Sequence, residues 1–162
     1  MQQKQLTILY TEYSSPSELP DADQNLLKQA RSMVDSAYAP YSKYHVGAAV
    51  LLENGTIFTG NNQENMAFPS GLCAERVALY AAAANNPGVP VLAIAITAHS
   101  ETFPVIDPVP PCGSCRQSII EYEMLSRKKI RVILMGETGK VIVFDGIDQL
   151  LPLSFREDGL KK

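Results

Sequence analysis

Leu26, Leu27, Ala30, Met33, Val34 and Ala37 recur at the spacing of one helix face and predict an amphipathic helix, opened by Asp21 and Asp23. Ahead of it, Leu6 to Tyr13 reads as a short strand that Ser14-Ser15-Pro16-Ser17 ends. Tyr38-Ala-Pro40-Tyr-Ser-Lys43 is a loop. Val46 to Leu52 and Thr56 to Thr59 flank Asn54-Gly55, a pair suited to a tight primed turn, and predict a β-hairpin. Ala74 to Ala84 is an Ala-rich helix stopped by Asn85-Asn86-Pro87-Gly88. Val91 to Thr97 is apolar without alternation, as in a strand covered on both faces. A loop with Pro104, Pro108, Pro110 and Pro111 leads to a helix from Cys112 to Leu125, followed by strands over Ile130 to Met135 and Val141 to Phe144. This order predicts an α/β fold with helices on both sides of a mixed sheet.

Length and charge narrow the class. The 162 residues suit one domain. Hydrophobic residues at 46% and charged residues at 19% give a chain that folds around a core and is not disordered. The net charge of −3 opposes binding to a polyanion. The basic cluster Arg127-Lys128-Lys129-Ile-Arg131 is short and reads as a solvated helix end before a strand, so no nucleic-acid partner is expected. The first ten residues lack the apolar core of a signal peptide, and the longest apolar run, Val89 to Ala98, is far short of a bilayer span. A cytoplasmic protein with no membrane partner is the expectation.

The three cysteines change the picture. An odd count argues against a disulfide framework. Cys73 precedes one predicted helix, while Cys112 and Cys115 open another behind Pro111, three apart and on one face. Helix N-termini lower thiol pKa, and three thiolates can bind Zn²⁺ tetrahedrally with one position left open. Other readings exist for each piece. A lone cysteine is often a small buried apolar residue, Cys112-Gly-Ser-Cys115 alone fits a redox pair, and His45 or His99 could close a structural zinc shell. We read His45 as a loop residue and His99 as a strand-end histidine.

Glu75 favours the catalytic reading, because a carboxylate two residues after Cys73 can serve an open metal position as a proton carrier. Alone it would merely complement the helix dipole. Arg76 and Arg116 follow the cysteine motifs and could donate to sulfur, or be solvated helix arginines. The set Cys73-Ala-Glu75…Pro111-Cys112-Gly-Ser-Cys115 matches the zinc-deaminase signature in its three-cysteine form.

From Asp21 to Gly159 the chain resembles the small homotetrameric cytidine deaminases. Tyr38-Ala-Pro-Tyr-Ser-Lys-Tyr-His-Val-Gly-Ala-Ala49, Asn62-Gln-Glu-Asn65, Gly71-Leu-Cys-Ala-Glu-Arg-Val-Ala78, Pro111-Cys-Gly-Ser-Cys-Arg-Gln117 and Leu150-Leu-Pro-Leu-Ser-Phe155 carry the resemblance. It implies one domain over 21–162 behind an extension at 1–20, and a three-layer α/β/α fold with a mixed sheet of about five strands. It implies one Zn²⁺ per subunit on Cys73, Cys112 and Cys115, with Glu75 as the catalytic proton carrier and Arg76 behind the sulfurs. The nucleoside substrate would be cytidine or 2′-deoxycytidine, deaminated for pyrimidine salvage in active sites shared across a homotetramer. Asn62 and Glu64 would bind the ribose 3′-hydroxyl, Tyr44 would pack on the base and Ala74 would adjoin it. Phe155 resembles an aromatic supplied by a neighbouring subunit. Phe68 stands where many members have Tyr, and so lacks a hydroxyl for the ribose 5′ side. Deaminases of the modified nucleoside blasticidin S share the cysteine motifs, but Asn62-Gln-Glu-Asn65 favours a plain ribose.

Overall fold

The computed structural model describes residues 1–160; Lys161 and Lys162, the end of the expected domain, lie outside it. Strands β1 (Thr11–Tyr13), β2 (Tyr44–Leu52), β3 (Ile57–Asn61), β4 (Val91–Ser100), β5 (Arg131–Met135) and β6 (Val141–Phe144) form one sheet in the order β1-β6-β5-β4-β2-β3. Only β4 and β5 pair in parallel; every other pairing is antiparallel. Helices α1 (Asp21–Ser32), α2 (Ala74–Asn85) and α3 (Gly113–Ser126) complete the fold. The parallel pair needs a crossover, and α3 supplies it.

Three layers result. Leu26, Leu27 and Ala30 of α1 pack on Ala49, Ala93, Ala95 and Ile133 of one sheet face. Ala78, Leu79 and Ala82 of α2, with Ile119 and Ile120 of α3, pack on Val50, Ile94, Ile96 and Leu134 of the other. Strand β4 contributes to both cores, which explains its unbroken apolar run. The hairpin forms where it was read, but its turn is not the primed one. Asn54 lacks the positive φ that such a turn needs, and the chain reverses through Glu53 and Asn54 with Gly55 alone at φ +82° and Gly55 N donating to Leu52 O at 3.0 Å.

The sheet has six strands where about five were expected. The sixth is β1, from the residues read as an extension, and it spans only the last part of the predicted Leu6–Tyr13 strand. Strand β2 starts at Tyr44, so His45 is a strand residue, directly opposite His99 of β4. It was read as a loop residue because the run from Pro40 to His45 is mostly polar; pairing with β4 overrides that local signal. The basic cluster is an exposed helix end in which three of the four cations are paired: Lys128 with Glu53, Lys129 with Asp148 at 2.6 Å and Arg131 with Asp23 at 2.7 Å. No helix among the described residues is long and apolar enough to cross a membrane.

Two contacts fix the helices that carry chemistry. Glu123, buried near the end of α3, accepts at Oε2 from Ile130 N (3.0 Å) and Ile147 N (2.8 Å), which ties that helix to β5 and to the turn after β6. At Gly60 the backbone of α2 lies directly on β3, and an added Cβ would stand 2.6 Å from Ala78 N and 2.8 Å from Ala74 O. Backbone cannot yield as a side-chain tip can. Gly60→Ala is therefore expected to cost about 2 kcal/mol and lower Tm by about 4–8 °C in a thermal melt.

Candidate zinc and nucleoside site

Helices α2 and α3 both begin at this site. Cys73 is the residue before the first turn of α2 and Cys112 the residue before the first turn of α3. Cys115, fully buried, lies in that first turn. The three sulfurs lie within 4.8 Å of one another, Cys73 Sγ to Cys112 Sγ at 3.8 Å and Cys112 Sγ to Cys115 Sγ at 3.5 Å. Four-coordinate zinc with Zn–S of about 2.3 Å requires sulfurs about 3.8 Å apart. The triad therefore fits one zinc ion. Among the described residues it is the one group of three or more His, Cys, Asp or Glu ligand atoms so placed. Neither histidine joins it: His45 Nε2 meets Glu101 Oε1 at 2.9 Å, and His99 Nδ1 meets Glu137 Oε1 at 3.2 Å. The cluster thus offers three sulfurs and no histidine nitrogen.

Thiol electrostatics agree with that fit. Hydrogen bonding with the Cys115 thiol, aided by donation from Arg76, holds Cys73 down at about 5. The same bond, together with burial, pushes the Cys115 thiol up. Three sulfurs this close cannot all be bare thiolates unless a cation sits among them. Arg76 Nη2 lies 3.8 Å from Cys73 Sγ, and its Nε is buried without a hydrogen-bond partner among the described residues. Arg76 thus faces the sulfurs as read. Arg116 does not. Its Nε donates to Pro111 O at 2.7 Å and its Nη1 to Leu150 O at 2.8 Å, so it clamps the start of α3 to the C-terminal segment. Neither of the two roles weighed for it, sulfur donor or solvated arginine, is the one it plays.

Glu75 is 5% exposed in the first turn of α2. Burial raises its carboxyl pKa, and the nearby charge of Cys73 raises it further. A buried carboxyl that holds a proton readily, two residues from a sulfur ligand position, is the arrangement a proton carrier needs. Ala74 between them is fully buried, and a larger side chain there would meet the core.

Beside the cysteines a cleft of 470 Å³ is lined by Tyr41, Ser42, Asn62, Glu64, Phe68 and Cys73, among others. Glu64 Oε2 accepts from Tyr41 N (2.8 Å) and Ser42 N (3.2 Å). Burial alone would raise its pKa, but hydrogen bonds from the Ser42 hydroxyl and these two amides outweigh it and hold the carboxyl below its ordinary value. Asn62 Oδ1 accepts from Val46 N and its Nδ2 donates to Tyr44 O, both at 2.8 Å. Its amide is thus a clamp on β2, with one further acceptor and one further donor site left for a ligand. The resemblance implied a ribose role for Asn62 and gave no sign of this clamp, since its partners are backbone groups far along the chain.

Tyr44 stacks on Phe103 with ring centroids 6.0 Å apart and is not among the cleft-lining residues; burial and then the charge of Glu75 raise its phenol pKa. Phe68 is exposed at the rim, edge-on to Tyr41 at 5.7 Å. Phe155 is not among the cleft-lining residues. Its side chain is exposed, and its carbonyl accepts from Gln117 Nε2 at 3.0 Å. The larger cleft of 720 Å³ is elsewhere, at Arg127, Lys128, Lys129 and Arg156, and brings none of the candidate site residues together.

Comparisons with known proteins point the same way. Residues 20–131 match the model of the cytidine and deoxycytidylate deaminase zinc-binding region. A cytidine deaminase of Halalkalibacterium halodurans is 36% identical over 137 residues, 85% of this chain and 96% of that one. One of Sporosarcina psychrophila is 38% identical over 138 residues, 85% of this chain and 93% of that one. The crystal structure of cytidine deaminase from Burkholderia pseudomallei superposes with a TM-score of 0.70 at 38% identity, covering 81% of this chain and 97% of that one. Matched over residues 20–131 by that model and alike over most of its length to these relatives, the chain belongs to the zinc-dependent cytidine deaminase family.

Proposed function

We propose that this chain deaminates free cytidine and 2′-deoxycytidine by hydrolysis, giving uridine or 2′-deoxyuridine and ammonia, in pyrimidine salvage. The observation that carries the reading is the buried Glu75 carboxyl beside three sulfurs within 4.8 Å of one another. Cys73, Cys112 and Cys115 would hold Zn²⁺, which when bound supplies a Lewis acid that makes water a nucleophile near neutral pH. Glu75 takes the proton from the attacking water and delivers it to ring N3. Once the C4–O bond has formed, Glu75 takes the second proton from the new C4 hydroxyl and passes it to the amine, so that the C–N bond breaks, ammonia leaves and C4 becomes a carbonyl. One carboxylate serves every transfer because water and leaving group meet the same carbon. Arg76 offsets thiolate charge from behind the sulfurs.

Glu64 and Asn62 fit a ribose hydroxyl, the carboxylate as acceptor and the amide through its remaining donor and acceptor sites. Tyr44 offers an aromatic face for the base, backbone groups around Ala74 would hold the base edge, and Phe68 covers the cleft mouth. Phe155, exposed on its own subunit, is available to a neighbouring copy, in keeping with a cytoplasmic homotetramer of single domains whose sheet takes in β1 ahead of Asp21. Light scattering tests that assembly against the 17.7 kDa chain mass.

Ammonia release from cytidine, measured beside blasticidin S, tests the activity. Turnover of blasticidin S faster than of cytidine would overturn the substrate assignment. A finer test is Glu64→Gln. The amide keeps an oxygen for Tyr41 N and Ser42 N but loses the charge, so KM for cytidine is expected to rise roughly tenfold with kcat changed less than about threefold. An unchanged KM would remove Glu64 from the ribose.

A further inference from the structure

Phe155 stands in irregular backbone that runs from residue 150 to 157, so its position depends on tethers from outside that segment. Two come from consecutive residues of α3: Arg116 Nη1 donates to Leu150 O and Gln117 Nε2 to Phe155 O. The third support is the segment ahead of Asp21. Strand β1 pairs with β6 through Thr11↔Val143 and Tyr13↔Val141, and Lys140 Nζ meets Glu12 Oε2 at 3.1 Å. From that anchored ladder the chain continues back over the start of the tethered segment. The Tyr10 ring lies 5.5 Å from Phe144, and Leu9 N donates to Gln149 Oε1 at 3.0 Å. Leu6, Thr7 and Ile8 then share a groove of 490 Å³ with Pro152, Leu153 and Ser154.

We propose that residues 6–13 are a positioning brace for the loop that carries Phe155, and so set substrate affinity although they lie outside the region matched by the family model. The proposal rests on the substrate role given above to Phe155. The ladder, the ring contact and the hydrogen bond anchor the brace on β6 and on Gln149, just ahead of the loop, and Leu6, Thr7 and Ile8 meet the loop itself across the groove shared with Pro152, Leu153 and Ser154. The side chains of Leu6, Ile8, Leu9 and Tyr10 are more than half exposed, and none belongs to either apolar core. Residues 6–10 can therefore be removed without opening the fold, while Tyr13, which packs on the α1 core, stays in place.

The test compares the intact chain with a deletion of residues 2–10, and with Gln149→Leu, which removes only the acceptor for Leu9 N–H. Amide hydrogen exchange over residues 150–156 should quicken roughly tenfold in the deletion and less in the substitution. KM for cytidine should rise about fivefold, with kcat within about twofold and zinc content unchanged. On a Phe155→Ala background the deletion should add no further rise in KM. Unchanged exchange and KM in both variants would overturn the brace. So would a KM rise that persists on the Phe155→Ala background, or a loss of zinc that moved the effect to the cysteine turn. If Phe155→Ala alone leaves KM unchanged, the role of Phe155 fails, and exchange over 150–156 still decides whether the brace holds the loop.

Discussion

Glu75→Gln is expected to retain one zinc per chain and to lower kcat for cytidine by about 10³-fold. Glutamine matches glutamate in shape, so a side chain only 5% exposed at the start of α2 is replaced without a cavity or a clash. The change removes the one group near the sulfurs that can both take and return a proton. Because the proposed reaction uses that group for the water, for N3 and for the leaving amine, its loss affects every transfer at once. Metal analysis and an ammonia assay on the same sample separate a missing proton carrier from a missing metal. Retention of more than about a tenth of wild-type turnover would overturn the assignment.

Cys115→Ala is the second large effect. The sulfur is fully buried in the first turn of α3, and alanine fits there while removing one of three ligands. Zinc per chain is expected to fall below about a tenth and activity to background. Stability should drop by the linkage contribution of a tightly held metal, about 4 kcal/mol at a thousandfold excess over Kd, or about 8–16 °C in Tm. The chain should nevertheless keep its far-UV circular dichroism, because Leu79, Ile94, Ile119 and Leu134 form a core that does not depend on the sulfurs. Chelator-treated wild type should melt at the temperature of the variant. If the two differ by much, the cysteine has a packing role beyond metal binding.

What the sequence disclosed divides along contact distance. The β2–β3 hairpin was legible because Asn54-Gly55 is a local instruction, and β6 because Val141 to Phe144 is a short apolar run with turns on either side. The sulfur triad was legible despite its long-range closure, since residue type and helix-start position together leave few other uses for three cysteines and a glutamate. Arg116 was not, because the carbonyls of Pro111 and Leu150 that it clamps carry no sequence mark. The clamp from Asn62 to β2 and the pairing of Glu123 with two distant amides were hidden for the same reason. Gly60 passed unnoticed among the glycines, since nothing local says that a helix backbone will lie on it. His45 was misplaced because a strand was judged by its own residues and not by β4 beside it.

The two helices that start at the sulfurs have one more consequence. Three thiolates and a divalent cation together carry a charge of −1, and each helix N-terminus contributes the equivalent of about +0.5. Cys73 and Cys112 are the residues from which α2 and α3 start, so both positive ends converge on the same point. Arg76 beside Cys73 adds +1 and an ionised Glu75 −1, so the sum is near zero when Glu75 holds no proton. What an uncharged pyrimidine meets there is an array of oriented N–H dipoles with no net monopole. The local field can then favour charge that develops during the reaction without first having to repel or trap the base.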